Sequence, residues 1–217
     1  MIYGNMFLNE RYILNVKDLY YNKDKFDSGK TNICFITGHS GSGKTTISTN
    51  MGTENVYSLD DVITNKNNFT MGELKEYGNL IYSFFNGIGK KYYLNNEERK
   101  EQYKSPFKYY KELLVQFVSY SMSYAKTHKN DKFVIEGIQL YCYFKPEFFK
   151  DCAFYIKGTS ALISTIRACK RNNNDKNLKD KFEDIIKGRK RYIEFFLDEK
   201  YIKEFVDYFS KLESDNN

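Results

Sequence analysis

Short apolar runs that end at glycine or acidic residues are the most regular feature of the sequence. Four of them have the length and the β-branched or aromatic content of buried strands, at residues 33–36, 55–59, 132–135 and 153–156. Segments with helical spacing of apolar residues separate these runs. Because strands that alternate with helices form parallel sheets, the pattern predicts an α/β fold with a parallel sheet of four or five strands flanked by helices. We expect a single domain over residues 1–217.

The helices are predicted from apolar residues three or four positions apart. The first lies within residues 1–30 and is expected to pack on the sheet through Leu8, Tyr12, Val16, Leu19 and Tyr20. Further helices are predicted at 44–50, 72–85, 106–126, 160–171 and 178–212. The two helices between about 62 and 130 form a helical insertion that would cover a substrate. No strand is evident after residue 171, which leaves the far edge of the sheet unassigned.

The turn after the first strand carries the most specific motif, Gly38-x-x-x-x-Gly43-Lys44-Thr45. Glycines let the backbone turn tightly with positive φ, so that successive N–H groups converge on phosphate oxygens. A helix that begins near Lys44 directs its positive dipole end at the same anion. A strand before the motif and a helix after it are the context of a phosphate-binding loop. The alternative is a glycine- and serine-rich loop that matches by chance.

This motif predicts a nucleotide site with ATP and Mg²⁺ as cofactors. Lys44 would reach the β- and γ-phosphates, and the Thr45 hydroxyl would ligate Mg²⁺. His39, at a variable position of the loop, is interpreted as a spacer. The predicted binding residues are Gly38, Ser40, Gly41, Ser42, Gly43, Lys44, Thr45 and Thr46.

Acidic residues follow the second and third predicted strands. The carboxyl ends of parallel strands meet at the edge of the sheet where ligands bind. Asp60, followed by Asp61, can accept the proton of an attacking hydroxyl, and the alternative for it is a helix cap or turn. Glu136 ends an apolar strand, where a buried carboxylate requires a partner such as Mg²⁺. Asp60 is therefore a catalytic candidate, and Glu136, with Thr45, is a metal-ligand candidate.

Together, the loop motif, Leu59-Asp60-Asp61 and Ile135-Glu136-Gly137 resemble the P-loop small-molecule kinases. The arrangement is similar to the group of uridine kinase, phosphoribulokinase and pantothenate kinase, and to zeta-toxin-like kinases. The resemblance implies a P-loop NTPase fold, an Asp that acts as base or substrate contact, and a lid helix that brings arginines onto the phosphates. Two departures affect the substrate class. Val62-Ile63 replaces an aromatic residue, and Lys157-Gly158 stands where an acid is common in these families.

The lid of this chain is expected at about residues 160–191. Arg167 and Arg171 lie four residues apart, so one helix face can present both to a transferring phosphoryl group, where they would be catalytic. The alternative is a solvated helix end that favours cations. Arg189 falls on an apolar stripe and needs an anionic partner, either a carboxylate or the nucleotide.

Charge and composition add a second interpretation. The net charge is +6, and residues 145–191 hold 13 Lys and Arg against 6 Asp and Glu. A basic segment beside a phosphate site suits polyphosphate or nucleic acid, although a solvated helix face explains it equally well. No apolar run has the length of a membrane span, no signal peptide is evident, and the four cysteines lack metal-ligand spacing. We therefore expect a cytoplasmic protein without a membrane partner.

The sequence thus predicts an ATP-dependent kinase that transfers the γ-phosphate of Mg·ATP to a small hydroxyl- or phosphate-bearing acceptor. Nucleosides and nucleotides are the leading acceptors. The alternative is a nucleotide-binding module or ATPase that uses its basic segment to bind nucleic acid. Polynucleotide 5′-hydroxyl kinase lies between the two.

Overall fold

The computed structural model describes residues 17–59, 106–160, 163–164, 167 and 200–215, without the side chains of 106–113. The strands are β1 Leu19–Tyr21, β2 Ile33–Thr37, β3 Asn55–Ser58, β4 Phe133–Glu136 and β5 Ala153–Ile156. The helices are α1 Lys23–Asp27, α2 Lys44–Thr49, α3 Pro106–Thr127 and α4 Gln139–Tyr143, with α5 described over 200–215. A 3₁₀ turn at Pro146–Phe149 precedes β5. The four strands predicted from apolar runs are confirmed.

The five strands form one mixed sheet in the order β1-β5-β2-β4-β3. β2 lies in the centre and pairs in parallel with β4 and β5, and β3 pairs in parallel with β4. β1 runs antiparallel to β5, with Leu19 opposite Ile156 and Tyr21 opposite Phe154. The prediction of an all-parallel sheet is therefore wrong for one edge strand.

That edge strand replaces part of the helix predicted within residues 1–30. Leu19 and Tyr21 pack into the core on one face of the sheet, whereas Tyr20 packs on the other face, which is the alternation of a strand. Three consecutive apolar residues fit either period, and pairing with β5 decides between them. The helix prediction is wrong at 19–21, and its part before residue 17 lies outside the described residues. β1 occupies the sheet edge that the sequence left unassigned.

Helices cover both faces of the sheet. In β2, Ile33 and Phe35 join a core cluster that includes residues of α3, α4 and α5, while Cys34 and Ile36 join a cluster with Phe26 of α1. All five residues of β2 are buried. Because both faces are covered, the strand appears in the sequence as a continuous apolar run rather than as an alternating one.

α3 confirms the helix predicted at 106–126, and its last turn is held at the start of β2. The Asn32 side-chain amide donates to three carbonyl oxygens, those of Ala125 at 2.8 Å and of His128 and Asp131 at 2.9 Å. Asn32 is buried. These bonds supplement the backbone donors at and just beyond the end of the helix, since the Ala125 carbonyl also accepts from the His128 N–H and the His128 carbonyl from the Asp131 N–H.

Other predicted helices fall partly or wholly on residues that are not described. Residues 163, 164 and 167 are helical, in agreement with the helix predicted from 160, and 200–215 agrees with the last predicted helix. The helix predicted at 72–85 lies outside the described residues. Within the described ranges, no helix combines the length and the apolar character needed to span a bilayer.

Candidate functional site

The carboxyl ends of β2, β3 and β4 meet at one edge of the sheet. Ile36 in β2 and Ser58 in β3 both lie opposite Glu136 in β4. Beyond β2 the chain enters residues 38–45, which we name the glycine loop, so this loop begins beside Glu136. β3 leads to Leu59, and the predicted base Asp60 and its neighbour Asp61 lie outside the described residues.

Close approach of neighbouring backbone requires glycine at two positions of the loop. Gly38 has φ of +148°, and a Cβ there would lie 2.5 Å from the Lys157 carbonyl oxygen. Gly41 has φ of +80°, and its Cβ would lie 2.6 Å from the Ser164 carbonyl oxygen. The glycine loop therefore packs directly against the chain that follows β5.

Lys44 begins α2, and its side chain turns back into the glycine loop. The ammonium Nζ donates to the carbonyl oxygens of Gly38 at 3.1 Å and His39 at 3.2 Å. Only 8% of Lys44 is exposed. The carbonyl dipoles of the loop thus hold the ammonium group in a largely buried position. An anion bound in the loop would lie within reach of this group.

Thr45 and Glu136 are brought together although they are 91 residues apart. The Thr45 hydroxyl donates to Glu136 Oε1 at 2.9 Å. Glu136 is 4% exposed, whereas Thr45 is exposed at the start of α2. A hydroxyl that donates its proton keeps its oxygen lone pairs, so both side chains offer oxygen ligands at one point. This is the pair that the sequence predicted as metal ligands.

The donor set at this point fits Mg²⁺ in the presence of phosphate. Across the described ranges, no group of three or more His, Cys, Asp or Glu side chains could hold a metal. Mg²⁺ does not require such a cage, because it binds through one or two carboxylates together with substrate phosphates and water. Thr45 and Glu136 supply one hydroxyl and one carboxylate, which matches that pattern.

His39 is a buried residue of the loop. It is 3% exposed, and its ring centroid lies 6.2 Å from that of Tyr141. Burial, together with the charge of Lys44, lowers the pKa of His39 from 6.5 to about 4. The imidazole is therefore neutral at pH 7, and Lys44 rather than His39 provides the positive charge of the loop.

Close packing explains why glycine follows Glu136. A Cβ on Gly137 would lie 2.4 Å from Gln139 Oε1 and 2.9 Å from the Cβ of Leu59. Gly137 thus allows Gln139, which is 6% exposed, to fold against the end of β3. The backbone here is also tied to β2, because Thr37 Oγ1 donates to the Gly137 carbonyl at 2.9 Å. Gln139 was missed in the sequence, where no motif marks it.

Two side chains beyond β5 contact the carbonyls of the glycine loop. Arg167 Nη1 donates to the Ser42 carbonyl at 3.2 Å, and Ser164 Oγ donates to the Ser40 carbonyl. The predicted Arg167 therefore reaches the loop, and its observed partner is the backbone. Ser164 was missed, although its position three residues before Arg167 on one helix face is a signal that could have identified it. Arg171 and Arg189 lie outside the described residues.

The remaining predicted loop residues differ in exposure. Ser40 and Thr46 are exposed, whereas Ser42 is fully buried. Within the part of the chain that the structure describes, the Ser42 hydroxyl has no hydrogen-bond partner.

Asp18, which the sequence did not single out, places a carboxylate beside Lys157-Gly158. It accepts hydrogen bonds from Tyr155, Lys157 and Gly158. Partial burial raises the pKa of Asp18, but these hydrogen bonds outweigh it and hold the pKa below the usual 3.8. A carboxylate from the residue before β1 thus lies beside the chain that follows β5.

A separate cavity of about 660 Å³ lies at the amino-terminal edge of the sheet, away from the glycine loop. Its wall includes Asn32, Ile33 and Cys152, at or just before the starts of β2 and β5. Lys30, Lys126 and Lys129 also line it, and all three are exposed. This basic cavity is not part of the candidate site.

Comparisons with known proteins identify no relative of this chain. No family model matches it, and no curated protein or solved structure does. The functional interpretation therefore depends on the residues and their geometry.

Proposed function

We propose that the protein is an Mg·ATP-dependent kinase with a P-loop NTPase fold, whose glycine loop binds the nucleotide phosphates. The observation that carries this proposal is the hydrogen bond between Thr45 and Glu136. It joins the hydroxyl at the start of α2 to a buried carboxylate at the end of the adjacent parallel strand. Phosphoryl transfer from Mg·ATP needs oxygen ligands for the ion at this place, beside the loop that holds the phosphates.

The residues of the loop would act mainly through charge and position. The ammonium group of Lys44 would exchange its two carbonyl partners for oxygens of the β- and γ-phosphates. Thr45 and Glu136 would hold Mg²⁺, which when bound neutralises charge on the transferring phosphoryl group. In-line transfer requires little beyond this arrangement and an oriented acceptor.

The acceptor we propose is a small hydroxyl- or phosphate-bearing molecule, with nucleosides and nucleotides first. Asp60 comes two residues after Ser58, the residue of β3 that lies opposite Glu136, and is the proposed base. Arg171 and Arg189 are proposed as phosphate contacts on the basis of the sequence. We further propose a cytoplasmic location.

A phosphotransfer panel tests this function. Wild-type protein is incubated with γ-labelled ATP, Mg²⁺ and nucleosides, nucleoside monophosphates, sugar nucleotides or 5′-hydroxyl oligonucleotides. We expect one acceptor class to gain the label. Glu136→Gln should lower the turnover of this acceptor at least about tenfold, because the amide is a weaker ligand for Mg²⁺ than the carboxylate. The control Glu147→Gln, at an exposed residue of the 3₁₀ turn, should retain wild-type turnover. Label transfer to no acceptor would contradict the kinase proposal.

The basic cavity supports nucleic-acid binding as a second candidate function. Lys30, Lys126 and Lys129 converge on one cavity, which Asp151 also lines, and they form no ion pair with a described carboxylate. If they contact phosphates of a single-stranded oligonucleotide, the affinity for it should fall steeply as salt is added. In the double variant Lys126→Ala, Lys129→Ala, the logarithm of the affinity should fall less steeply with the logarithm of the salt concentration. An unchanged slope in the double variant would remove this candidate.

A further inference from the structure

Asp18 lies 140 residues before Gly158 and binds the chain immediately after β5. Lys157 Nζ donates to Oδ1 at 3.0 Å and to Oδ2 at 2.7 Å. The Gly158 N–H donates to Oδ1 at 2.9 Å, and the Tyr155 hydroxyl donates to Oδ2 at 2.6 Å. Hydrogen bonds to an ionised carboxylate are stronger than neutral ones. Asp18 thus fixes the backbone at the end of β5 and not only the edge strand that it precedes.

The chain fixed by Asp18 is in direct contact with the glycine loop. The Lys157 N–H donates to the Thr37 carbonyl at 2.8 Å, one residue before the loop begins. The Lys157 carbonyl occupies the space where a side chain on Gly38 would lie. A displacement of Lys157 would therefore be transmitted to the first residue of the loop.

The same chain continues into the residues that hold the loop carbonyls. The Ser160 hydroxyl accepts a hydrogen bond from the Ile163 N–H at 3.2 Å, which is the contact that an N-cap makes with the third residue of a helix. The Ser160 carbonyl accepts from the Ser164 N–H at 3.0 Å. Ser164 and Arg167 then bind the loop, so each link from Asp18 to the loop is a direct contact.

We propose that Asp18 is a positioning residue for the glycine loop. By fixing the chain at Gly158, it determines where Ser164 and Arg167 hold the loop carbonyls. Arg167 then supports the loop backbone in its phosphate-binding shape. The proposal deepens the proposed function, since a correctly shaped loop matters for affinity toward Mg·ATP. The competing explanation is that Asp18 only secures β1 to the edge of the sheet.

The first test uses protein without nucleotide and so does not depend on the proposed function. The chain has 13 glycines, few enough for their amide resonances to be assigned by NMR. In Asp18→Asn, we expect the resonances of Gly41 and Gly43 to shift, although neither residue contacts Asp18 directly. The control is Asp27→Asn, because Asp27 is a similarly exposed carboxylate paired with Lys23 and lies away from the loop. It should leave both resonances in place.

A shift confined to Gly158 in Asp18→Asn, with Gly41 and Gly43 unchanged, would overturn the proposal. If Asp18→Asn does not fold, Tyr155→Phe replaces it, since it removes one hydrogen bond to the carboxylate and keeps the ring. This variant should shift the same two resonances by a smaller amount. Unchanged Gly41 and Gly43 resonances in Tyr155→Phe would then overturn the proposal.

The second test measures the Kd for Mg·ATP by calorimetry. Asp18→Asn should weaken binding roughly 2- to 30-fold relative to wild type and to Asp27→Asn, the range typical of residues that act through a contact network. Equal affinity in all three proteins would overturn the proposal. Absence of binding by wild type would instead overturn the proposed function, and the resonance test would still decide the role of Asp18.

Discussion

Gly41 and Gly52 show how two glycines of similar backbone conformation have different roles. Their φ angles are +80° and +69°, a region that other residues adopt only with strain. A Cβ on Gly41 would lie 2.6 Å from the Ser164 carbonyl, whereas a Cβ on Gly52 would have nothing within 4 Å. Position 52 therefore requires glycine only for its backbone conformation. Position 41 requires glycine for that conformation and also to leave room for the Ser164 carbonyl.

Substituting these two glycines separates the two requirements. Gly52→Ala should lower the free energy of unfolding by about 1–2 kcal/mol, the usual penalty for this conformation. Gly41→Ala should lower it further, because the Ser164 carbonyl must also move, and it should weaken nucleotide binding. Urea denaturation of both variants and wild type measures the difference. Equal losses of stability would show that the contact with Ser164 is absent.

The buried His39 predicts a pH dependence of stability. Its pKa is about 4 in the folded protein and ordinarily 6.5, so between these values the unfolded chain binds more protons. Stability should therefore fall as the pH is lowered through this window, and the contribution of His39 is fully present only above pH 6.5. His39→Gln should flatten this part of the profile. Urea denaturation from about pH 7 to about pH 4.5 measures the slopes. Parallel profiles for His39→Gln and wild type would contradict the assignment.

At the scale of elements, apolar runs were sufficient to predict four of the five strands. β2, β4 and β5 are each dominated by buried residues, so their sequence signal is strong. β1 has only three residues, and three consecutive apolar residues fit the period of a helix as well as that of a strand. Its formation therefore depends on pairing with β5. The sequence also could not indicate that α3 ends against the start of β2, because this junction depends on the single side chain of Asn32.

The junction between α3 and β2 can be tested through Asn32. Asn32→Ala should lower the free energy of unfolding by about 1–3 kcal/mol, since it removes the three hydrogen bonds that this buried side chain donates. Asn130→Ala, at an exposed residue of the following turn, should change it by less than about 0.5 kcal/mol. Thermal and urea denaturation would measure both. A loss for Asn32→Ala as small as that for Asn130→Ala would contradict this account of the junction.

At the scale of the molecule, one of two long-range contacts could be predicted from the sequence and the other could not. Parallel strands end at the same edge, so Thr45 and Glu136 were expected to meet, and their hydrogen bond agrees with that expectation. Asp18 reaches Gly158 through an antiparallel edge strand, which no motif or spacing indicates. The contact between Thr45 and Glu136 was therefore predictable from the sequence, whereas the support behind the loop was not.

Calorimetric titration of Mg·ATP into wild type, Lys44→Met and Lys145→Met tests most directly whether the glycine loop is a nucleotide site. Methionine keeps much of the buried volume of Lys44, and Lys145 is an exposed control that loses the same charge. We predict that wild type and Lys145→Met bind with equal affinity and that Lys44→Met binds more than about tenfold more weakly. Equal affinity of Lys44→Met and wild type, or absence of binding by wild type, would contradict the account.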